Sequence, residues 1–274
     1  VSEIKRALVM GGGGVVGIAW TTGVLAALAA GGVDVAGSAD KIIGTSAGST
    51  VAAQITSGLS LPDLLERQTN PALRAPELQS GVPMDQLWAT FQQIYESTED
   101  PAEQRRRIGA MALATDTVSE AERRKVIEAR LPAHSWPDRD LVIVAVEAVT
   151  GEPALFRPGS GVALVDAVAA SCAVPGVWPP VTIDGVRYVD GGIRSTINAD
   201  LASGYDRILI LAPMPELLPG FEAVGGQIEV IEPDEASVAA AGADPLDPGV
   251  RGVSAEAGYA QGAALVDRVA ALWT

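Results

Sequence analysis

The sequence predicts an α/β protein with a central, mostly parallel sheet covered by helices and interrupted by a helical insertion. Three observations carry that prediction. Two strand-turn-helix units open the chain, each with glycine at its turn. A strandless segment rich in Glu, Gln and Arg follows over residues 60–139. A strongly apolar strand, "LVIVAVEAV", then resumes the sheet at Leu141.

Ala7–Met10 is a short buried strand that enters a run of four glycines, Gly11–Gly14. From Gly17 to Ala30 the apolar positions Ile18, Val24, Leu25 and Leu28 support a helix that stops at Gly31-Gly32. Lys41–Ile43 is a second strand, Gly44–Gly48 a turn and Ser49–Thr56 a helix of small residues. Strand-helix units of this kind build parallel sheets covered by helices. Asp63–Gln68, Asp85–Tyr95, Ala102–Leu113 and Ser119–Leu131 read as the helices of the insertion. The last opens with Ser119 and Glu122, the spacing of a capping box. This segment reads equally as a mobile lid or a rigid packing layer. After the Leu141–Val149 strand, Val165–Ala173 reads as a helix ended near Pro175. "VTIDGVRYVDGG" gives two short strands about an Asp184-Gly185 turn. Arg207–Leu211 and Gln227–Ile231 are further strands. Residues 242–252 form at most a mobile Gly-, Pro- and Asp-rich loop, and Gly258–Thr274 is a closing amphipathic helix. The expected organisation is a single domain over residues 1–274.

The chain of 274 residues is long enough for a substantial core, and its 48% apolar content argues against disorder. A formal net charge of −15 argues against nucleic acid as a partner and against strong attraction to anionic headgroups. The densest basic stretch, Arg105–Arg107, reads as a solvated helix face. The one cysteine, Cys172, allows no internal disulfide, reads as packed and fits a cytoplasmic address. No signal peptide is visible, and no run of about 18 apolar residues marks a membrane span. Transient contact with a membrane surface remains open, and the oligomeric state is not readable from the sequence.

Two glycine motifs carry chemistry. Gly12, Gly14 and Gly17 fit G-x-G-x-x-G, a dinucleotide fingerprint. That reading requires an acidic residue about 20 positions on, at the end of the second strand. Asp34 lies near that distance but precedes the strand. At the strand's end stands "GTSAG", in which Gly44, Ser46 and Gly48 fit G-x-S-x-G between a strand and a helix. That context makes a nucleophile elbow: a tight turn lifts the serine hydroxyl above the sheet, at the positive end of the next helix. A triad would need a histidine, and the chain has one, His134, in a Pro-rich connection with no motif around it. The base for Ser46 is therefore sought elsewhere. Asp190-Gly191-Gly192 closes a predicted strand, where α/β sites gather. A dry pocket raises the basicity of such a carboxylate. Alone, the tripeptide reads equally well as an ordinary Asp-Gly turn.

In order, Gly12-Gly13-Gly14-Val15-Val16-Gly17, Gly44-Thr45-Ser46-Ala47-Gly48 and Asp190-Gly191-Gly192 resemble the patatin-like phospholipase family. The stretch "ASCAVPGVWPPVTIDGVRYVDGG" looks like that family's approach to its aspartate, and the likeness runs from residue 6 to about 211. The resemblance implies a three-layer α/β/α patatin-like fold and a lipid or ester acyl hydrolase. In that reading Ser46 is the nucleophile and Asp190 its base. The N–H groups of Gly12, Gly13 and Gly14 form the oxyanion hole. Gly17, Gly44, Gly48, Gly191 and Gly192 support the motifs. No metal or organic cofactor is implied. Val16 stands where family members often carry Arg or Lys. That departure points away from an anionic headgroup and towards neutral lipids, simple esters or lysolipids. The same dyad would also serve an acyltransferase, and the same fold a non-catalytic lipid-binding protein. Trp88, Trp136 and Trp178 are candidates to line an acyl groove, or to sit in the core.

Overall fold

A computed structural model describes residues 4–274; residues 1–3 of the expected domain lie outside the described residues. The chain opens with β1 (Arg6–Met10), α1 (Gly14–Ala30), the single-turn α2 (Val35–Ser38), β2 (Lys41–Thr45) and α3 (Ala47–Ile55). Residues 60–139 contain α4 (Leu61–Thr69), α5 (Met84–Ser97), α6 (Pro101–Ala114) and α7 (Glu120–Arg130). Next come β3 (Asp140–Glu147), β4 (Pro153–Phe156), α8 (Leu164–Ser171), β5 (Val181–Ile183) and β6 (Val186–Asp190). The chain closes with β7 (Arg207–Leu211), β8 (Gln227–Ile231), α9 (Glu235–Ala241), α10 (Arg251–Ala264) and α11 (Val266–Trp273).

Among the described residues eight strands form one sheet in the order β5-β6-β3-β2-β1-β7-β8, with β4 paired to β3. The pairs β3-β2, β2-β1, β1-β7 and β7-β8 are parallel. Those of β3 with β4 and β6, and of β5 with β6, are antiparallel. The fold is thus a mixed α/β architecture with a mostly parallel central sheet flanked by helices. Alternation along the strands divides the core. Leu8, Met10, Ile42, Leu141 and Ile143 face α1, α3, α8 and α11. Ala7, Val9, Ile43, Val142 and Val144 face the opposite side, against Ile197, Ala199 and Ala202. Helix α1 is buried almost all round, which explains why its sequence shows no polar face.

The insertion is joined to this core by packing. Leu87 and Phe91 of α5 and Ile108 and Ala112 of α6 cluster with Val146 of β3 and Val189 of β6. Burying each of the larger side chains contributes about 1.5–3 kcal/mol. Helix α7 starts with the expected capping box: the Ser119 hydroxyl accepts from the Glu122 N–H and the Glu122 carboxylate reaches back.

Several elements differ from the sequence reading. The closing helix is two helices, α10 and α11, separated at Leu265. The loop at 242–252 is packed rather than free: the Pro245 carbonyl accepts the Val16 N–H at 3.1 Å. Strand β4 and helix α9 had no clear sequence signal, being four and seven residues long. Arg105 is not a freely solvated side chain, since it donates to the Gly151 carbonyl at 2.6 Å; Arg106 and Arg107 pair with Glu103.

Candidate active site

The parallel arrangement of β1 and β2 brings the two glycine turns side by side, Met10 lying opposite Gly44. Ser46 is the residue between β2 and α3. Its backbone is held at φ 53° and ψ −116°, a left-handed geometry that costs a non-glycine residue on the order of 1–3 kcal/mol. Such strain persists only where surroundings enforce it. The Gly48 N–H donates to the Gly11 carbonyl at 3.0 Å, tying the elbow to the first loop. A Cβ at Gly48 would collide with the Met10 carbonyl, so only glycine permits that approach. The Ser46 N–H donates to Ser171 Oγ at 2.9 Å. The Ser46 carbonyl accepts from Ser49 Oγ at 2.7 Å and from the Cys172 thiol at 3.2 Å. Cys172 is therefore packed, as expected, and also grips the elbow; burial pushes its thiol pKa up, keeping it neutral.

Asp190 ends β6, which pairs with β3 so that Asp190 lies opposite Ala145. Asp190 is 4% exposed. Oδ1 accepts the Gly192 N–H at 2.8 Å, while Oδ2 is buried without a partner among the described residues. Burial drives its pKa up to about 7, against smaller lowering contributions from the Gly192 N–H and the Ser46 side chain. Ser46 thus lies within electrostatic reach, yet no aligned hydrogen bond joins its hydroxyl to the carboxylate. Catalytic hydrogen bonds in unliganded sites are often long and tighten with substrate bound. Gly191 sits where a Cβ would strike the Val144 carbonyl, which fixes the turn after Asp190 against the sheet.

The first loop differs from the sequence reading in one respect. The Gly12 N–H donates to the Thr196 carbonyl at 2.9 Å, so it is spent within the protein. The N–H groups of Gly13 and Gly14 find no acceptor among the described residues, and neither does that of Ala47, the residue after Ser46. Gly14 starts α1 at φ +62°, with the Pro245 carbonyl where a Cβ would be. Gly17 donates its N–H to the Gly13 carbonyl at 2.7 Å, closing the first turn of that helix. At Gly44 a Cβ would meet the backbone of Ser49 and Gly48, so this glycine lets α3 pack over β2.

Ser46, Asp190 and Gly12–Gly14 open onto one cavity of about 450 Å³. Its walls are apolar: Trp88 and Phe91 of α5, Val174, Met214, Leu217 and Leu246. Trp88 and Leu217 are 37% and 60% exposed, so the rim presents apolar surface to solvent. Of the three tryptophans considered, only Trp88 lines this cavity. Trp136 donates to the Val162 carbonyl, and Trp178 is buried under Arg123. His134 is half exposed, approaches the Glu128 carbonyl through Nε2 and does not line the cavity.

Sequence reasoning missed a supporting layer. Asn198, in a left-handed conformation, donates to Thr45 Oγ1 at 3.0 Å and to the Ser195 carbonyl at 2.7 Å. It thereby links the end of β2 to the segment after Asp190. Glu216 accepts from Ser195, Thr196 and Ile197, holding the strip that occupies the Gly12 N–H. An asparagine eight residues past the Asp-Gly turn was the one readable signal, because Asn tolerates that backbone. Among the described residues, no three His, Cys, Asp or Glu side chains come together as a metal site would need. No helix among them is long and apolar enough to cross a membrane.

A serine on a strained strand-to-helix turn, over an apolar cavity in an α/β sheet, is the framework of the α/β lipid acyl hydrolases. A family model of the patatin-like phospholipases matches residues 8–203, and the chain belongs to that family. The crystal structure of VipD from Legionella pneumophila is also similar, at 14% identity and a TM-score of 0.40. That match covers 85% of this chain and 50% of the VipD chain, so this chain spans about half the length of that relative.

Proposed function

We propose that the protein is a lipid acyl hydrolase working through a Ser46-Asp190 dyad. The observation that carries this reading is the shared cavity. A serine at φ 53°, a desolvated aspartate and two unspent loop N–H groups face one apolar space. The acyl chain of an ester lies against Trp88, Phe91 and Leu246. Ser46 Oγ attacks the carbonyl carbon while its proton passes to Asp190. The carbonyl oxygen gains the negative charge and is held by the N–H groups of Gly13 and Gly14, joined by that of Ala47. Collapse expels the alcohol, which takes the proton from Asp190 and leaves an acyl-Ser46 ester. A water then gives its proton to Asp190 and attacks that ester. The fatty acid leaves, and Ser46 Oγ is reprotonated.

An aspartate with pKa about 7 suits this work better than one at the ordinary 3.8, because a base is most effective near the operating pH. The apolar walls carry no charge for an anionic headgroup, which favours neutral lipids, lysolipids and simple esters. The apolar rim at Trp88 and Leu217 supports transient contact with a lipid surface. The test is labelling with a fluorophosphonate and peptide mapping, alongside hydrolysis of p-nitrophenyl butyrate. Label is expected on the peptide containing Ser46 and absent in Ser46→Ala, which also loses hydrolysis while keeping its circular dichroism. Label elsewhere, or activity surviving in Ser46→Ala, would sink the dyad.

A further inference from the structure

A second chamber, of about 20 Å³, lies behind the Ser46 elbow and is lined by Gly14, Ser46, Ala47, Arg123, Arg130 and Cys172, among others. Arg123, from α7, is 5% exposed. Its Nε and Nη1 have no hydrogen-bond acceptor among the described residues. The guanidinium lies over the Trp178 ring, 3.9 Å from its centroid, which fixes its plane. The carboxylate nearest to it, Glu77, is 3.8 Å away, beyond hydrogen-bond reach. Glu77 is already committed: Arg130 holds it at 2.8 and 2.6 Å, and Arg251 at 2.6 Å. Three buried cations thus share one carboxylate. Burial and the Arg130 charge lower the Arg123 pKa to about 9, which leaves it protonated at neutral pH.

A buried guanidinium with unmade hydrogen bonds needs an acceptor or a charge to face. The chamber has room for one water-sized group and is too small for a phosphate. It borders Gly14 and Ala47, two of the residues whose N–H groups are unspent. Residues 11–17 are all Gly or Val, so the loop brings no charge of its own.

We propose that Arg123 is the cation of the oxyanion site, its field reaching the negative oxygen of the tetrahedral intermediate across this chamber. The proposal rests on the acyl-hydrolase reading. The guanidinium touches no reacting atom; it acts through space among buried groups, where low polarisability strengthens the attraction. The charge it answers exists only in the transition state and intermediate. Its loss therefore lowers kcat and leaves KM unchanged.

Three variants test this on the full chain: Arg123→Met, Arg123→Lys and Arg251→Lys, each with p-nitrophenyl butyrate kinetics and a thermal melt. Arg123→Met removes a surplus buried cation, so it is expected to melt no lower than the parent. Its kcat falls about 10- to 100-fold at constant KM, somewhat less than loss of a direct oxyanion donor. Arg123→Lys restores part of kcat, and Arg251→Lys, in the same Glu77 cluster but away from the chamber, keeps kcat. The inference is overturned if Arg123→Met retains kcat, changes only KM or fails to fold. A guanidinium that holds the chain together is not a surplus charge. It is equally overturned if Arg251→Lys loses as much kcat as Arg123→Met. A parent protein without esterase activity would instead sink the hydrolase reading itself.

Discussion

Replacing Asp190 by Asn removes a carboxylate titration that burial has moved up to about 7. In the folded chain Asp190 holds its proton up to about pH 7, whereas its ordinary value is 3.8. Between those values the native state binds a proton that the unfolded state has released. Stability attributable to this group is therefore complete below about pH 4 and declines as pH rises, until the loss is full above pH 7. The interval is worth on the order of 4 kcal/mol at about 1.4 kcal/mol per pH unit, of which roughly 3 kcal/mol falls between pH 5 and pH 9. Asn is close to a protonated Asp in shape and does not titrate. The stability difference between Asp190→Asn and the parent should accordingly move in favour of the variant by about 3 kcal/mol from pH 5 to pH 9. Urea unfolding of both proteins at four pH values in that range reads this, and taking the difference cancels the other carboxylates. In the proposed dyad the same titration would govern catalysis, since only the ionised carboxylate would accept the Ser46 proton. The parent's kcat/KM should rise tenfold per unit below pH 7 and level off above it, while Asp190→Asn stays inactive throughout. A stability difference independent of pH, or an active Asp190→Asn, would refute the reasoning.

Gly14→Ala places a Cβ against the Pro245 carbonyl at φ +62° and turns the Gly14 N–H away. Esterase kcat should drop about a hundredfold, with a loss of about 1–2 kcal/mol in chemical denaturation. Glu77→Gln leaves three buried guanidinium groups without their carboxylate; a loss of about 3–5 kcal/mol should appear in urea unfolding at pH 7. His134→Ala removes a half-exposed ring outside the cavity and should leave kcat/KM within about twofold of the parent, the usual result for a surface change. Total loss of activity there would revive a Ser-His arrangement.

Much of this was legible in the sequence because it is written in local signals. Strands β7 and β8 fall where their apolar runs place them, and the helices from α4 to α7 match to within about two residues, the ordinary uncertainty of helix ends. The capping box at Ser119 and the Asp184-Gly185 turn are short-range hydrogen-bond and dihedral preferences. The steric reason for glycine at position 44 is local, in the backbone of Gly48 and Ser49, whereas those at 14 and 48 lie in the distant carbonyls of Pro245 and Met10. By contrast, β4 lies between turns with half-buried residues, so its alternation was faint. The split at Leu265 follows from docking α10 on α1 and α11 on β7 and β8, and no breaker residue marks it.

By itself, the sequence determined the α/β class, the order of the three motifs and the residues that form the turns. These depend on backbone dihedrals and on periodicity over a few residues. Only the tertiary structure decided which groups meet and which remain free. Thr196 takes the Gly12 N–H from 184 positions away, and Asp190 is raised to about 7 because the fold removes it from water. Helix α5 and Pro245-Leu246 become walls, and α7 brings Arg123 behind Ser46. Hydrogen-bond competition, desolvation and charge balance are properties of a packed neighbourhood. No stretch of the chain expresses them until the sheet has brought its distant ends together.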